Sequence, residues 1–194
     1  PELDAFFESS RPGVHVVGEL GGMGLIKNAI VQGLQVSEGL AERVRRDGPP
    51  VAVVGAGPAG LATALGLKAR RIPHRLLEQD TLGGAVAHYP RRKVAMTDTV
   101  ELPLYGRFGK RLISKEELLE TWERIVRKTG LALEQGTKVT GIAGEDGRFT
   151  VETEKGSLAA SKVVLAIGRR GTPRKLGVPG AEQPEVGYRL AGPG

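Results

Sequence analysis

The feature that most constrains this chain is a glycine-rich turn, Gly55-Ala-Gly57-Pro-Ala-Gly60. An apolar strand at Val51–Val54 precedes the turn, and a helix at Leu61–Ala69 follows it. The next strand, His74–Glu78, ends in an acidic residue. A GxGxxG turn in this strand–turn–helix–strand context is typical of a dinucleotide-binding βαβ unit.

Each glycine of the turn has a physical reason. Gly55 permits the sharp turn, Gly57 lets the backbone approach a pyrophosphate, and Gly60 lets helix and strand pack closely. The diphosphate is expected at the free N–H groups and the positive dipole of the helix start. Glu78 would accept hydrogen bonds from both ribose hydroxyls, and its charge would repel a 2′-phosphate. The turn therefore predicts a site for FAD or NAD and argues against NADP.

Composition excludes several other classes of protein. Among 194 residues, 40% are hydrophobic and 26% are charged, which is ordinary for a soluble protein of about one domain. There is no cysteine, so a disulfide scaffold, a thiolate metal site and a redox-active dithiol are excluded. No signal peptide or membrane-spanning run is visible, so we expect a cytoplasmic protein. The net charge is +6, but the basic residues are not interleaved with aromatic residues, which argues against nucleic acid as a partner.

The rest of the chain alternates between helical and strand patterns. A fold of class α/β is predicted: a Rossmann-like three-layer domain with a parallel sheet and a three-stranded antiparallel β-meander. The tail from Arg169 to Gly194 is expected to be irregular, and the stretch from Gln79 to Leu112 is weakly patterned. The other expected elements are strand Val14–Gly18, helix Ile26–Val44, a helix opened by the capping box Ser114–Glu117 and ended at Gly130, meander strands Lys138–Ile142, Arg148–Glu152 and Ser157–Ala160, and strand Lys162–Ile167.

Several segments outside the turn distinguish FAD from NAD. Pro58-Ala59 lies within the turn, and Gly83-Gly84 and His88-Tyr89-Pro90 follow the Glu78 strand. Val163 to Arg169 is a strand that ends in small residues, and Pro12 to Glu19 is a strand followed by Gly18-Glu19. Together these segments resemble the FAD-binding domain of the FAD-dependent pyridine nucleotide oxidoreductases. The thioredoxin-reductase-like group and its bacillithiol-disulfide-reductase-like branch are the most similar.

The resemblance implies a set of FAD contacts. Glu19 stands where the family usually has an Asp that binds the ribityl chain, and Ala85 stands where many relatives have Gln. The helix start at Lys27-Asn28-Ala29 is expected near the flavin pyrimidine, and no catalytic or metal-ligating residue is expected. The implied cofactor-binding residues are Gly55, Gly57, Pro58, Ala59, Gly60, Glu78, Gln79, Gly84, Ala85, His88, Tyr89, Val139, Ala166, Gly168, Gly18, Glu19, Asn28 and Ala29.

The order of the two pieces is inverted relative to the family. Residues 1–48 resemble the closing segment of an FAD-binding domain, with a linker, whereas residues 49–194 resemble its opening segment. A second GxGxxG turn, and with it the inserted NAD(P)H domain, is missing. Two accounts fit: a piece of a longer protein with tandem reductase-like units, or a rearranged FAD domain. We favour the first, because both ends fall at the insertion points.

The two segments are expected to complete one nucleotide site, either within one molecule or by exchange between two copies in a homodimer. The predicted function is the FAD-binding module of a flavin-dependent NAD(P)H oxidoreductase without redox-active cysteines, whose electron acceptor is unknown. A non-catalytic dinucleotide-binding scaffold and an NAD-binding dehydrogenase domain are the alternatives.

Overall fold

A computed structural model describes residues 2–21, 25–168, 178 and 183 of the chain. Its three helices in the described part are α1 (Ile26–Ala41), α2 (Pro58–Ala69) and α3 (Lys115–Thr129). Short 3-10 helices lie at Gly18–Gly21 and Gly84–His88. The strands are β1 (Val14–Val16), β2 (Val51–Val54), β3 (His74–Leu77), β4 (Val94–Met96), β5 (Val100–Leu102), β6 (Gly106–Phe108), β7 (Leu112–Ser114), β8 (Val139–Glu145), β9 (Arg148–Thr153), β10 (Gly156–Ala160) and β11 (Lys162–Leu165).

A parallel sheet with strand order β1-β11-β2-β3 forms the centre of the described part. Strand β1, from residues 1–48, pairs with β11 in the register Val14↔Val163. The segment after α3 adds a parallel bridge between Leu77 and Glu134 beside β3. The closing segment (residues 1–48) and the opening segment (residues 49–194) therefore contribute strands to the same sheet.

The sheet separates two hydrophobic layers, because successive side chains of a strand point to opposite faces. Val51 and Val53 of β2 face the helices, which bury Leu65 and Trp122 among others. Ala52 and Val54 face the antiparallel meander β8–β9–β10, where Phe149 and Val151 are buried. The predicted three-layer α/β fold with its meander is confirmed.

Close contacts between backbones allow α1 to lie against α2. A side chain at Gly33 would place its Cβ 2.3 Å from the carbonyl oxygen of Ala59, and one at Gly66 would place it 2.0 Å from the Ser37 hydroxyl. Both distances are far below van der Waals contact, so these positions require glycine. The contact brings the start of α1 next to the GxGxxG turn that precedes α2.

The N-terminal segment is also attached to the meander. The Arg11 guanidinium donates hydrogen bonds to the carbonyl oxygens of Ile142 and Gly144, at 3.3 and 2.8 Å. Asp146, in the turn between β8 and β9, pairs with the buried ammonium of Lys162 at the start of β11. These contacts hold the meander against the edge of the sheet that β1 forms.

Local sequence signals placed most elements well, and the differences lie at helix ends and in the weakly patterned stretch. Helix α2 begins at Pro58 instead of Leu61, and α1 ends at Ala41 instead of Val44. The weakly patterned stretch from Gln79 to Leu112 contains the short strands β4, β5 and β6. Apart from the isolated positions 178 and 183, the tail from Arg169 to Gly194, which was expected to be irregular, lies outside the described residues.

Candidate functional site

A cavity of about 570 Å³ opens at the carboxyl ends of the parallel strands. Val54, Leu77 and Ala166, which end or follow β2, β3 and β11, line it together with Gly18, which follows β1. Ligands of open α/β sheets bind in this position, outside the carboxyl ends of the strands. The volume lies within the range of ~300–1,000 Å³ found for small-molecule and cofactor sites.

The glycines of the GxGxxG turn leave room for a ligand on one side and for packing on the other. A Cβ at Gly57 would meet nothing closer than the Gly83 carbonyl oxygen, 4.0 Å away, and Gly57 lines the cavity. A Cβ at Gly60 would lie 1.8 Å from the Gly55 carbonyl oxygen. Gly55 itself has φ of 104°, which favours glycine. Gly57 therefore forms an open backbone surface, and Gly60 allows α2 to approach β2.

Helix α2 presents its N-terminal end to the cavity. Gly57 is the N-cap and Pro58 occupies the first turn, with no side-chain cap in the described part of the chain. Proline is favoured there because it has no N–H to satisfy. The following amides and the positive end of the helix dipole make this turn suited to an anion.

The carboxylate of Glu78 is buried, with 4% of the residue exposed, and it organises the backbone around it. Its Oε2 accepts a hydrogen bond from the Ala56 amide at 2.7 Å, and its Oε1 accepts one from the Asp80 amide at 3.0 Å. A carboxylate offers about four acceptor positions, so capacity remains for hydroxyl donors. Glu78 thus fixes the GxGxxG turn and lines the cavity at the same time.

A loop from Gln79 to Tyr89 borders the same cavity. His88 Nε2 lies 2.9 Å from Asp80 Oδ2, which links the two ends of this loop. A Cβ at Gly84, which has φ of 54°, would lie 3.2 Å from Gly57 Cα. The loop therefore packs directly on the GxGxxG turn.

The closing segment supplies the other side of the cavity. The Gly18 amide donates a 2.8 Å hydrogen bond to the buried side-chain oxygen of Gln32 on α1. A Cβ at Gly18 would lie 3.1 Å from the Ala59 Cβ. Burial and the Glu19 carboxylate raise the pKa of Tyr89 above its ordinary value, so the phenol stays protonated at neutral pH. Glu19 lines the same cavity as the GxGxxG turn.

The residues predicted from the sequence are brought together with two exceptions. All of them line the cavity apart from Gly60, which packs beneath the turn, and Asn28, on the first turn of α1. Sequence reasoning missed the cavity-lining residues Leu20, Leu25, Ile26, Val54, Leu77, Asp80, Val86, Thr137 and Ile167, and the supporting residue Gln32. Asp80 could have been recognised as a candidate because it is an acid directly after Glu78-Gln79. Nothing in the local sequence indicates a role for Gln32.

Comparison with known proteins decides the family. Residues 52–191, well over half of the chain, match the family profile described as pyridine nucleotide-disulphide oxidoreductase. The chain belongs to this family. The predicted membership is confirmed, and FAD, the cofactor predicted from the sequence, is the cofactor of these oxidoreductases.

Individual members of the family and related structures show similarity to about two fifths or less of their own length. A ferredoxin–NADP reductase of Ignicoccus hospitalis is 31% identical over 142 residues, which is 73% of this chain and 43% of the relative. Bacillithiol disulfide reductase Bdr of Staphylococcus aureus shares the fold with a TM-score of 0.60 at 20% identity, covering 70% of this chain and 43% of that one. OTEMO, solved in complex with FAD and NADP, gives a TM-score of 0.54 at 16% identity, with 68% and 28% covered.

The cavity of this chain fits FAD on its own geometry. An open backbone at Gly57, an anion-accepting helix start and a buried acid at Glu78 lie on one side, and Glu19 lies on the other. An elongated ligand with a central diphosphate and hydroxyls toward both ends matches this distribution of donors and acceptors. No helix in the described part of this chain has the length and apolarity needed to cross a membrane.

Proposed function

We propose that this chain is the FAD-binding module of a flavin-dependent NAD(P)H oxidoreductase, completed within one molecule by its inverted closing and opening segments. The observation that carries the proposal is the shared cavity, which Gly18 and Glu19 line together with Gly55, Gly57 and Glu78. The parallel pairing of β1 with β11, which places both segments in one sheet, supports their assembly into one site.

The opening segment would hold the adenosine diphosphate half of the cofactor. The amides at the start of α2 and the exposed backbone of Gly57 would receive the diphosphate. Glu78 would accept the ribose hydroxyls with the acceptor positions that the Ala56 and Asp80 amides leave open. Gln79, Val139 and Gly168 line the cavity and would enclose the remainder of this half.

The closing segment and the loop before Pro90 would hold the flavin half. Glu19 would accept hydroxyls of the ribityl chain, and the protonated phenol of Tyr89 beside it has a donor to offer. Ala29, near the start of α1, lines the same cavity, so the helix dipole would favour negative charge on the ligand. Ala85 and His88 complete this wall.

FAD, when bound, would supply the chemistry of hydride and electron transfer between NAD(P)H and an acceptor. This chain contains no cysteine, so a dithiol within it cannot take those electrons. Relatives named ferredoxin–NADP reductase favour an electron-carrier protein as the acceptor. Since these relatives are more than twice as long as the matched region, we propose that the chain works as part of a longer, cytoplasmic reductase that contains the NAD(P)H domain.

A parallel titration with FAD and NAD tests the proposal. We expect FAD to bind with quenching of its fluorescence and a yellow complex after desalting, and NAD to bind weakly or not at all. Glu78→Gln should raise the Kd for FAD roughly tenfold or more, because a buried charged acceptor is lost. Glu19→Gln should raise it by a smaller factor.

Glu120→Gln, on the exposed part of α3, is the matched control and should leave the Kd for FAD unchanged. Tight NAD binding without FAD binding would support the dehydrogenase alternative. A chain that binds neither nucleotide would support the scaffold alternative.

A further inference from the structure

A short connector forms part of the cavity wall beside Glu78. The connector, residues 134–137, follows the end of β3 and is bound to it through the backbone. The Glu78 amide donates a hydrogen bond to the Glu134 carbonyl at 2.9 Å, and the Thr137 amide donates one to the Glu78 carbonyl at 2.8 Å. Thr137 also lines the cavity. The connector therefore lies at the Glu78 end of the cavity, which is the proposed adenosine end.

Lys155 reaches the connector from the turn between β9 and β10. Its ammonium donates hydrogen bonds to the Gln135 carbonyl at 3.2 Å and to the Thr137 hydroxyl at 3.1 Å. The turn is fixed by Thr153, whose hydroxyl accepts a hydrogen bond from the Lys155 amide at 3.1 Å and donates one to the Gly156 carbonyl at 2.6 Å. Lys155 is therefore held at its backbone as well as at its ammonium, and it joins the meander to the connector.

The hydroxyl of Thr137 is the point at which Lys155 acts on the cavity. Thr137 is 6% exposed and lines the cavity. A hydroxyl has one proton and two acceptor positions. The proton of Thr137 is directed to the Gln135 carbonyl at 3.3 Å, and the Lys155 ammonium occupies one acceptor position. The acceptor position that remains suits an N–H or O–H donor of the ligand, such as the adenine amino group or a ribose hydroxyl.

Lys155 makes these hydrogen bonds to neutral oxygens, although the connector and the turn both contain an acid. Glu134 of the connector pairs with Arg75 at 2.5 Å, and Glu154 of the turn pairs with Lys138 at 3.3 Å. The Arg75 hydrogen bond lowers the pKa of Glu134, with a smaller contribution from the Lys155 charge. Both acids have other cationic partners, so the oxygens of the connector set the position of the Lys155 ammonium.

We propose that Lys155 is a positioning residue for the adenosine end of the cofactor. By holding the Thr137 hydroxyl, Lys155 fixes an acceptor beside Glu78 for a donor of the bound adenosine. Lys155 itself lies outside the cavity lining, so its effect reaches the ligand through Thr137. The assignment of this end to adenosine rests on the proposed function, whereas the hydrogen bonds between Lys155 and the connector do not.

Titration of the full chain with FAD and with ADP tests the positioning role. Lys155→Met keeps a long side chain and removes its donors, so the Thr137 hydroxyl is released. We expect the Kd for FAD and the Kd for ADP to rise by the same factor, roughly three- to tenfold, as for the loss of one hydrogen bond. Glu19→Gln, on the flavin side, should instead raise the Kd for FAD and leave the Kd for ADP unchanged.

A double-mutant cycle separates positioning from a general structural role. Thr137→Val removes the acceptor and should raise both Kd values at least as much as Lys155→Met does. In the Thr137→Val background, Lys155→Met should have no further effect, because the hydroxyl that it positions is gone. Additive effects of the two changes would overturn the proposal, as would wild-type affinity in Lys155→Met.

Lys138→Met is the matched control, because it removes the same charge from an exposed side chain next to Thr137. Its Kd values should equal those of the wild-type chain. An equal loss of affinity in Lys138→Met and Lys155→Met would assign the effect to net charge and contradict the positioning role.

The two ligands also distinguish failure of this inference from failure of the proposed function. Binding of ADP without FAD would remove the proposed function, and the cycle between Lys155 and Thr137 would then be measured with ADP. FAD binding that is unaffected by Lys155→Met would keep the proposed function and remove the positioning role. A chain that binds neither nucleotide would contradict both.

Discussion

The two sides of the cavity are held in place by different kinds of interaction. On the opening side, the GxGxxG turn is fixed by backbone packing, with Gly60 against the Gly55 carbonyl, and by the buried carboxylate of Glu78. On the closing side, the Gly18 amide depends on a side chain, Gln32, that lies on the following helix. Glu19 is half-buried there, in contrast to the buried Glu78.

The two sides also differ in whether the contacts that fix them can be inferred from spacing along the chain. On the opening side, turn and acid belong to one βαβ unit, and the spacing along the chain already implies their contact. On the closing side, Gly18 is positioned by α1 and by its contact with Ala59. The opening side is therefore expected to be less tolerant of changes in backbone packing, and the closing side more tolerant of changes in the acid itself.

The largest effect is expected on the opening side, at Gly60. Gly60→Val would place Cβ 1.8 Å from the Gly55 carbonyl oxygen, so we expect a loss of about 3 kcal/mol or more in the free energy of unfolding. Gly57→Ala has open space and should keep the fold while weakening FAD binding. Urea unfolding of the apo chains and FAD titration separate the two effects. Wild-type stability in Gly60→Val would show that this side is not fixed by backbone packing.

A smaller effect is expected on the closing side, at Gln32. Gln32→Leu removes the acceptor of the buried Gly18 amide, which costs about 1–3 kcal/mol when the amide finds no other partner. Because Gly18 lines the cavity, FAD affinity should fall together with the free energy of unfolding. Gln35→Leu, on the exposed face of the same helix, is the control and should change neither quantity. Equal behaviour of the two variants would show that Gln32 does not organise this side.

Local signals explain what the sequence predicted well. The capping box at Ser114 forms as expected, with its hydroxyl oxygen accepting from the Glu117 amide at 3.1 Å, and Gly130 ends α3 with φ of 60°. Strand β2 has the predicted bounds, Val51–Val54. Each of these features depends on residues a few positions apart.

The parts that were missed depend on distant partners. Strands β4 and β7 are three residues each and exist through pairing with each other across the intervening β5–β6 hairpin. Such short strands carry too little alternation to be recognised alone. Gln32 was likewise invisible, because its role depends on the position of the Gly18 amide. The surroundings of His15 are equally non-local: its Nδ1 lies 3.0 Å from the Phe6 carbonyl, and its Nε2 is a buried atom without a hydrogen-bond partner in the described structure.

His15 also gives the smallest predicted effect, a pH dependence that belongs to the closing side. The residue is 1% exposed, its Nδ1 lies 3.0 Å from the Phe6 carbonyl, and burial lowers its pKa. The unfolded chain binds a proton near pH 6.5 and the folded chain only at lower pH, so stability should fall as the pH drops below about 6.5.

Burial also lowers the pKa of His74 on the opening side, so both histidines contribute to this loss of stability. Each histidine contributes a slope of at most about 1.4 kcal/mol per pH unit in that window. Asp4, whose pKa is lowered by backbone hydrogen bonds, titrates well below the window. In urea unfolding between pH 7.5 and 5.5, His15→Leu should flatten the slope more than His74→Leu, because His15 is the more deeply buried. A larger change in His74→Leu would place the acid-sensitive contact on the opening side instead.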